Sequence, residues 1–295
     1  MRPSRLQIAK ADIVKTFTEG PAVLRLGDVS RVFDQQREFW RVAKSTTLNG
    51  FLRFMTESTD LREARFPFPH RELTGFVWGD VPVEEVLLGL LGAGHYSHYT
   101  AVRLHGLSEQ VPKTLYLTRE KQATQDNDLD PYSQEAIDLA FSRPPRVSQN
   151  MIDLPKSNLR VVLLESSAPL IGIVEGEVNM GEARPLKLRY TSLERTLIDI
   201  VVRPFYSGGV FEVAKAFERA KGTVSVNSLV ALLKRMKLGY PYHQAIGFYL
   251  ERAGYKSSLL ELVDRIPKDR DFYLTHAMEA KSFNSRWRLY VPEGF

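Results

Sequence analysis

Cysteine is absent from the 295 residues. That excludes disulfides, thiolate nucleophiles and cysteine-ligated zinc or iron–sulfur centres, and it fits a reducing compartment. Long apolar runs are missing too. The run from Val83 to Ala93 is broken by glutamate and glycine and falls well short of the roughly 20 residues a membrane span needs. The opening MRPSRLQIAKADIVKTF lacks the apolar core and small-residue cleavage site of a secretory signal. A cytoplasmic protein with no membrane partner is expected. Catalytic signatures are equally scarce. There is no Walker A loop, no GxGxxG and no glycine–serine pair with separated carboxylates of the nucleotidyltransferase kind. Glu175 and Glu177 share a strand face without a following lysine at nuclease spacing. The expectation is no catalysis, no cofactor and no metal.

What is present describes an ordinary globular chain, 43% hydrophobic and 25% charged, with a length that favours about two domains. The net charge is +5 and the isoelectric point near 9.3. Residues 1–72 hold 13 Lys and Arg against 9 Asp and Glu, and residues 73–295 hold 27 against 26. A small basic module on a neutral body points to a polyanion reader.

Periodicity orders that module. Leu6, Ala9, Ile13 and Phe17 form one apolar stripe over residues 5–19, stopped by Gly20-Pro21. Ala22 to Leu26 reads as a short β run. Asp28 can cap a second helix with Val29, Val32 and Phe33 inward. A polar stretch leads to Phe39, Trp40 and Val42. Ser45, Thr46 and Thr47 then offer capping hydroxyls to a third helix that buries Leu48, Phe51, Leu52 and Met55. LREARFPF alternates as a strand would, and Thr74 to Trp78 reads as its return strand. Three helices followed by a ribbon predict a winged helix-turn-helix over residues 1–78. Its third helix presents Thr46, Thr47, Asn49 and Arg53 for the major groove, where Asn pairs with adenine and Arg with guanine. Arg62 and Arg65 on the ribbon are the expected phosphate or minor-groove contacts of a wing. Arg37 and Arg41 before the third helix can clamp the DNA backbone, with packing on the Trp40 ring the alternative for Arg41.

Gly79-Asp80-Val81-Pro82 has the composition of a junction, so a second domain is expected over residues 79–295. Its pattern is mixed. A helix covers Val83 to Leu91, and another ends at Gly106. Strands are expected at KTLYLT, Leu159 to Leu164, Leu170 to Val174, Glu177 to Met180 and Leu186 to Tyr190, with a polar loop over residues 121–134. Five helical segments follow from Ser192 onward. The predicted class is α+β, with a helical C-terminal part. His95, His98 and His105 invite a metal, but seven residues on a helix separate the last two by about 10 Å, so a structural role is preferred. Arg195, Asp199 and Arg203 stand at i,i+4 intervals and predict a structural Arg–Asp–Arg ladder.

Four stretches carry a family likeness: REFWRVAKSTTLNGFLRFM; FVWGDVPVEEVLLGL running into GHYSHYTAVRLHGLSEQVPKTLYL; YTSLERTLIDIVVRPFYSGG; and SRWRLYVPEGF. In this order they resemble the AbiEi family, antitoxins of abortive-infection toxin–antitoxin systems encoded beside a nucleotidyltransferase-type toxin. The resemblance implies an N-terminal domain that binds inverted repeats of double-stranded DNA in its own promoter and represses the operon, as a dimer or cooperatively. It also implies a C-terminal domain that counteracts the toxin, directly or functionally. Two other readings remain open at this point. One is a winged-helix transcription factor with a ligand-sensing or dimerisation domain; the other is an enzymatic second domain.

Overall fold

The computed structural model describes residues 3–110, 112–120, 133–166, 169–180 and 184–295. The fold is mixed α+β, and the chain divides into two compact units, Met1–Ala93 and Gly94–Phe295. The expected polar loop over residues 121–134 lies largely outside the described residues.

In the first unit, α1 (Arg5–Ile8) and α2 (Lys10–Glu19) replace the single helix expected over residues 5–19. β1 (Val23–Leu24), α3 (Leu26–Gln36) and α4 (Leu48–Ser58) come next, then β2 (Leu61–Phe66) and β3 (Leu73–Trp78). The Asp28 carboxylate does cap α3, but from inside its first turn, where it accepts from the Arg25 backbone N–H at 3.0 Å. The strands form an antiparallel sheet in the order β1-β3-β2. The helical stripes meet around Phe51, which is fully buried. Its ring lies 4.6 Å from that of Phe33, 5.8 Å from Trp40 and 6.3 Å from Phe17. Loss of so central a ring costs about 3–5 kcal/mol.

The helix α5 (Val83–Leu91) also belongs to this unit. It packs on β1 and β3, so the boundary falls after Ala93 and not after Trp78 as the composition suggested. Two glycines permit the close approach. A Cβ on Gly89 would lie 2.6 Å from Val23 Cγ1, and one on Gly75 would strike Leu90 and the Leu24 carbonyl. Arg25 Nη2 adds a bond to the Gly89 carbonyl at 3.3 Å.

The second unit holds a six-stranded mixed sheet. Its strands are β4 (His95–Tyr96), β5 (Thr114–Glu120), β6 (Met151–Leu154), β7 (Leu159–Ser166), β8 (Ile173–Val178) and β9 (Leu186–Thr191), in the order β6-β7-β5-β4-β9-β8. The pairs β5–β7 and β4–β9 are parallel, the other three antiparallel. One strand, β8, stands where two short ones were expected. Helices α6 (His98–Leu104), α7 (Gln134–Phe141), α8 (Leu193–Val202), α9 (Val210–Arg219), α10 (Val226–Met236), α11 (Tyr242–Arg252) and α12 (Ser257–Asp264) supply most of the apolar core. A small sheet, β10 (Phe272–Tyr273), β11 (Lys281–Asn284) and β12 (Leu289–Pro292), closes the chain. Trp287, fully buried before β12, packs where Gly247 leaves α11 without a side chain. No helix among the described residues is long and apolar enough to cross a membrane.

Candidate nucleic-acid interface

The eight predicted site residues fall on two parts of the first unit, the α3–α4 connection with α4 itself, and the β2–β3 hairpin. Phe51 and Met55 turn one side of α4 into the core. That leaves Asn49 and Arg53, one helical turn apart, exposed on another side. Neither side chain has an internal partner among the described residues. Thr47 is the N-cap of α4, and its hydroxyl oxygen accepts from the Gly50 N–H at 3.1 Å. Thr46 is half-buried before the helix, not on its face. Its N–H donates to the Ala43 carbonyl at 2.9 Å.

The connection is tightly wound. Trp40 and Val42 are buried, and Arg41 between them takes a left-handed backbone with φ 52° while its side chain points to solvent. Val42 N–H closes the turn on the Arg37 carbonyl at 3.0 Å. Arg37 is half-buried and engaged: Nη2 donates to the carbonyls of Ala43, Lys44 and Thr46 at 3.3, 3.4 and 3.1 Å. Lys44, three residues after Arg41, is exposed with no partner among the described residues and is an additional candidate cation not among the eight predicted residues. Its position directly before the Ser45-Thr46-Thr47 capping run was the available signal.

On the hairpin, Arg62 is exposed and unpartnered among the described residues, opposite Val77 in the register. Arg65 pairs instead with Glu72 at the far end of the ribbon. Both are solvent-exposed, so the pair is exchangeable and weakly held. Arg71, at the hairpin tip, is a further exposed cation that the sequence reading did not single out.

The polar residues of the second unit take up structural positions. His98 Nδ1 lies 2.8 Å from Ser97 Oγ, which lies 2.6 Å from Thr118 Oγ1. His105 Nε2 meets the Thr191 carbonyl at 2.8 Å. His95, 1% exposed, has no hydrogen-bond partner on either ring nitrogen, and burial lowers its pKa to about 3. No group of three or more histidine and acidic side chains among the described residues could hold a metal ion. Arg195 and Asp199 form a buried ion pair at 2.8 Å, and Arg195 Nη1 also binds the carbonyls of Pro169 and Ile171. The second rung of the predicted ladder makes no direct ion pair, although the Arg203 charge still acts on the Asp199 carboxyl and favours its ionised form. Arg203 caps α8, its N–H still on the Asp199 carbonyl at 3.0 Å, but its φ of −137° turns its side chain away from the helical direction.

The fold is that of an α+β protein with a helix-rich N-terminal unit that ends in a small sheet and a covering helix. No family profile matches the chain, and no curated protein does. Among solved structures it is similar to the RV2827C protein from Mycobacterium tuberculosis, with a TM-score of 0.55 at 14% sequence identity, covering 98% of this chain and 93% of that one. At that identity the likeness shows the fold alone.

Proposed function

We propose that this chain is a cytoplasmic DNA-binding antitoxin that represses its own operon and counteracts a nucleotidyltransferase-type toxin. The observation that carries the DNA half is the solvent-facing pair Asn49 and Arg53. It stands on a capped helix, beyond the cations Arg41 and Lys44, which have no partner among the described residues. The order α2-β1-α3-α4-β2-β3, with β1 paired to β3, supports a winged helix-turn-helix with α4 as the reading helix and the β2–β3 hairpin as the wing. Asn49 and Arg53 are suited to adenine and guanine edges. The Thr47 turn suits phosphate, which the helix N-terminus attracts. The antitoxin half rests on the four ordered stretches that resemble the AbiEi family, and the second unit is its proposed seat.

The test has two readouts. The chain is expressed with and without the product of the adjacent reading frame, expected to be nucleotidyltransferase-like, and growth is scored beside a reporter driven by the upstream DNA. The expected result is restored growth and a repressed reporter. A chain that leaves the reporter unrepressed refutes the operator reading, and one that fails to restore growth refutes the antitoxin reading.

A further inference from the structure

Arg37 was expected to clamp the DNA backbone, and the geometry gives it a different part. Its backbone ends α3, with its N–H on the Phe33 carbonyl at 2.9 Å and its own carbonyl accepting from Val42 N–H. Its guanidinium lies over the Phe33 ring, 5.0 Å from the centroid, and that ring stacks in turn on Phe51 of α4. From there Nη2 faces three carbonyl oxygens, those of Ala43, Lys44 and Thr46. One side chain therefore ties the end of α3, the aromatic core and the last residues before α4 into one piece. Arg41, Lys44 and Arg53 make no such bonds among the described residues and are exposed.

We propose that Arg37 is a positioning residue, which fixes where α4 begins and so where Asn49 and Arg53 meet the bases, and that it supplies no phosphate contact of consequence. The inference rests on the DNA-binding reading above. Its chemistry is specific to arginine. A planar guanidinium can lie flat on an aromatic ring while one edge bonds several carbonyls, and a lysine ammonium on a flexible stem cannot do both. A phosphate clamp needs only a cation at the right distance, which lysine supplies.

The two roles differ in salt dependence. Each phosphate neutralised adds close to one to the slope of log affinity against log salt, whereas a residue that only orients the reading helix leaves that slope alone. The test uses the full chain, a duplex enriched by that chain from a randomised library, and a scrambled duplex of the same composition. Binding is followed by fluorescence anisotropy between about 50 and 200 mM salt. Arg37→Ala and Arg37→Lys are each expected to weaken the enriched duplex about tenfold. Both should leave the scrambled duplex unchanged and run parallel to wild type in salt. Lys44→Ala should instead weaken both duplexes and flatten the slope by about one. The proposal is overturned if Arg37→Lys binds as wild type while Arg37→Ala loses on both duplexes alike and flattens the slope. Should the alanine variant fail to fold, the lysine variant decides alone: wild-type affinity refutes positioning, and selective loss on the enriched duplex supports it. A wild-type chain that enriches no duplex sinks the DNA reading itself, a result visible before any variant is made.

Discussion

The two units hold their charge differently. Residues 1–93 carry 13 Lys and Arg against 12 Asp and Glu, and residues 94–295 carry 27 against 23. Net charge alone would send a polyanion to the second unit. The arrangement of charge within each unit differs as well. In the first unit Asp80, Glu84 and Glu85 sit at or just before the start of α5, and Asp28 and Glu72 are paired with Arg31 and Arg65. Arg41 and Lys44 in the α3–α4 connection and Arg53 within α4 have no partner among the described residues. In the second unit several arginines act as cross-links. Arg195 joins Asp199, Arg286 joins Glu251 and Asp264, Arg288 joins Asp271, and Arg219 joins Glu109. Free cations alone do not separate the units, since Lys234, Arg235 and Lys237 at the end of α10 are also exposed and unpartnered among the described residues. The proposed site in the first unit rests on cations that flank Asn49 on a capped helix. The surplus in residues 1–72 is real, but it shrinks once α5 is counted with the unit it packs on.

The largest effect that can break this comparison is truncation. Ending the first unit at Trp78 removes α5, which packs on β1 and β3 with buried Leu90 against Gly75. One such side chain is worth about 1.5–3 kcal/mol against a typical domain stability of about 5–15 kcal/mol. Fragment 1–78 is expected to be unfolded by circular dichroism, and fragment 1–93 to unfold cooperatively. Equal cooperativity in both fragments would return the boundary to Gly79.

Substitution at the glycine contact is smaller. Gly75→Ala forces a methyl against the Leu24 carbonyl, which cannot swing aside as a flexible side chain can. The expected loss is about 1–3 kcal/mol in denaturant unfolding. An unchanged midpoint would mean that α5 is not held against β1 and β3 as described.

Smaller again is a pH effect confined to the second unit. Burial lowers His95 to about 3 and His243 to about 4, and it lowers His98, His105 and His276 as well. The folded unit keeps these rings neutral, while the unfolded chain takes up protons below about 6.5. Their contribution is therefore complete above that pH and is lost progressively as pH falls toward the folded values. His95→Gln should flatten the decline between pH 6.5 and 5 by up to about 1.4 kcal/mol per pH unit. A decline as steep as wild type would assign the acid sensitivity elsewhere.

Much of this fold was legible in the sequence because periodicity reports burial directly. Ile13 and Phe17, Val29 and Phe33, and Phe51 and Met55 are all buried as their spacing implied. The five C-terminal helices, α8 to α12, stand where their apolar faces placed them. Three things were not legible, each for a physical reason. The allegiance of α5 depends on contacts between strands and helix far apart in sequence, made possible by Gly75 and Gly89, while the local composition of Gly79 to Pro82 resembles a linker. The part played by Arg37 depends on three carbonyls whose directions are fixed only once Arg41 adopts its left-handed turn. Arg203 was read as helical because the spacing continued, although α8 had ended. Short apolar runs explain the rest. α7, β6 and the β10–β12 sheet are too brief for a period to declare itself.

We propose above all that α4 of the first unit reads DNA. That claim is tested most directly by anisotropy titration of the full chain and its Asn49→Ala/Arg53→Ala double variant on the library-enriched and scrambled duplexes. Each substitution is expected to cost about 1–3 kcal/mol on the enriched duplex and far less on the scrambled one. The double variant should therefore bind both duplexes with similar, weak affinity. A folded double variant that still prefers the enriched duplex as strongly as wild type would contradict the claim and move the reading surface off α4.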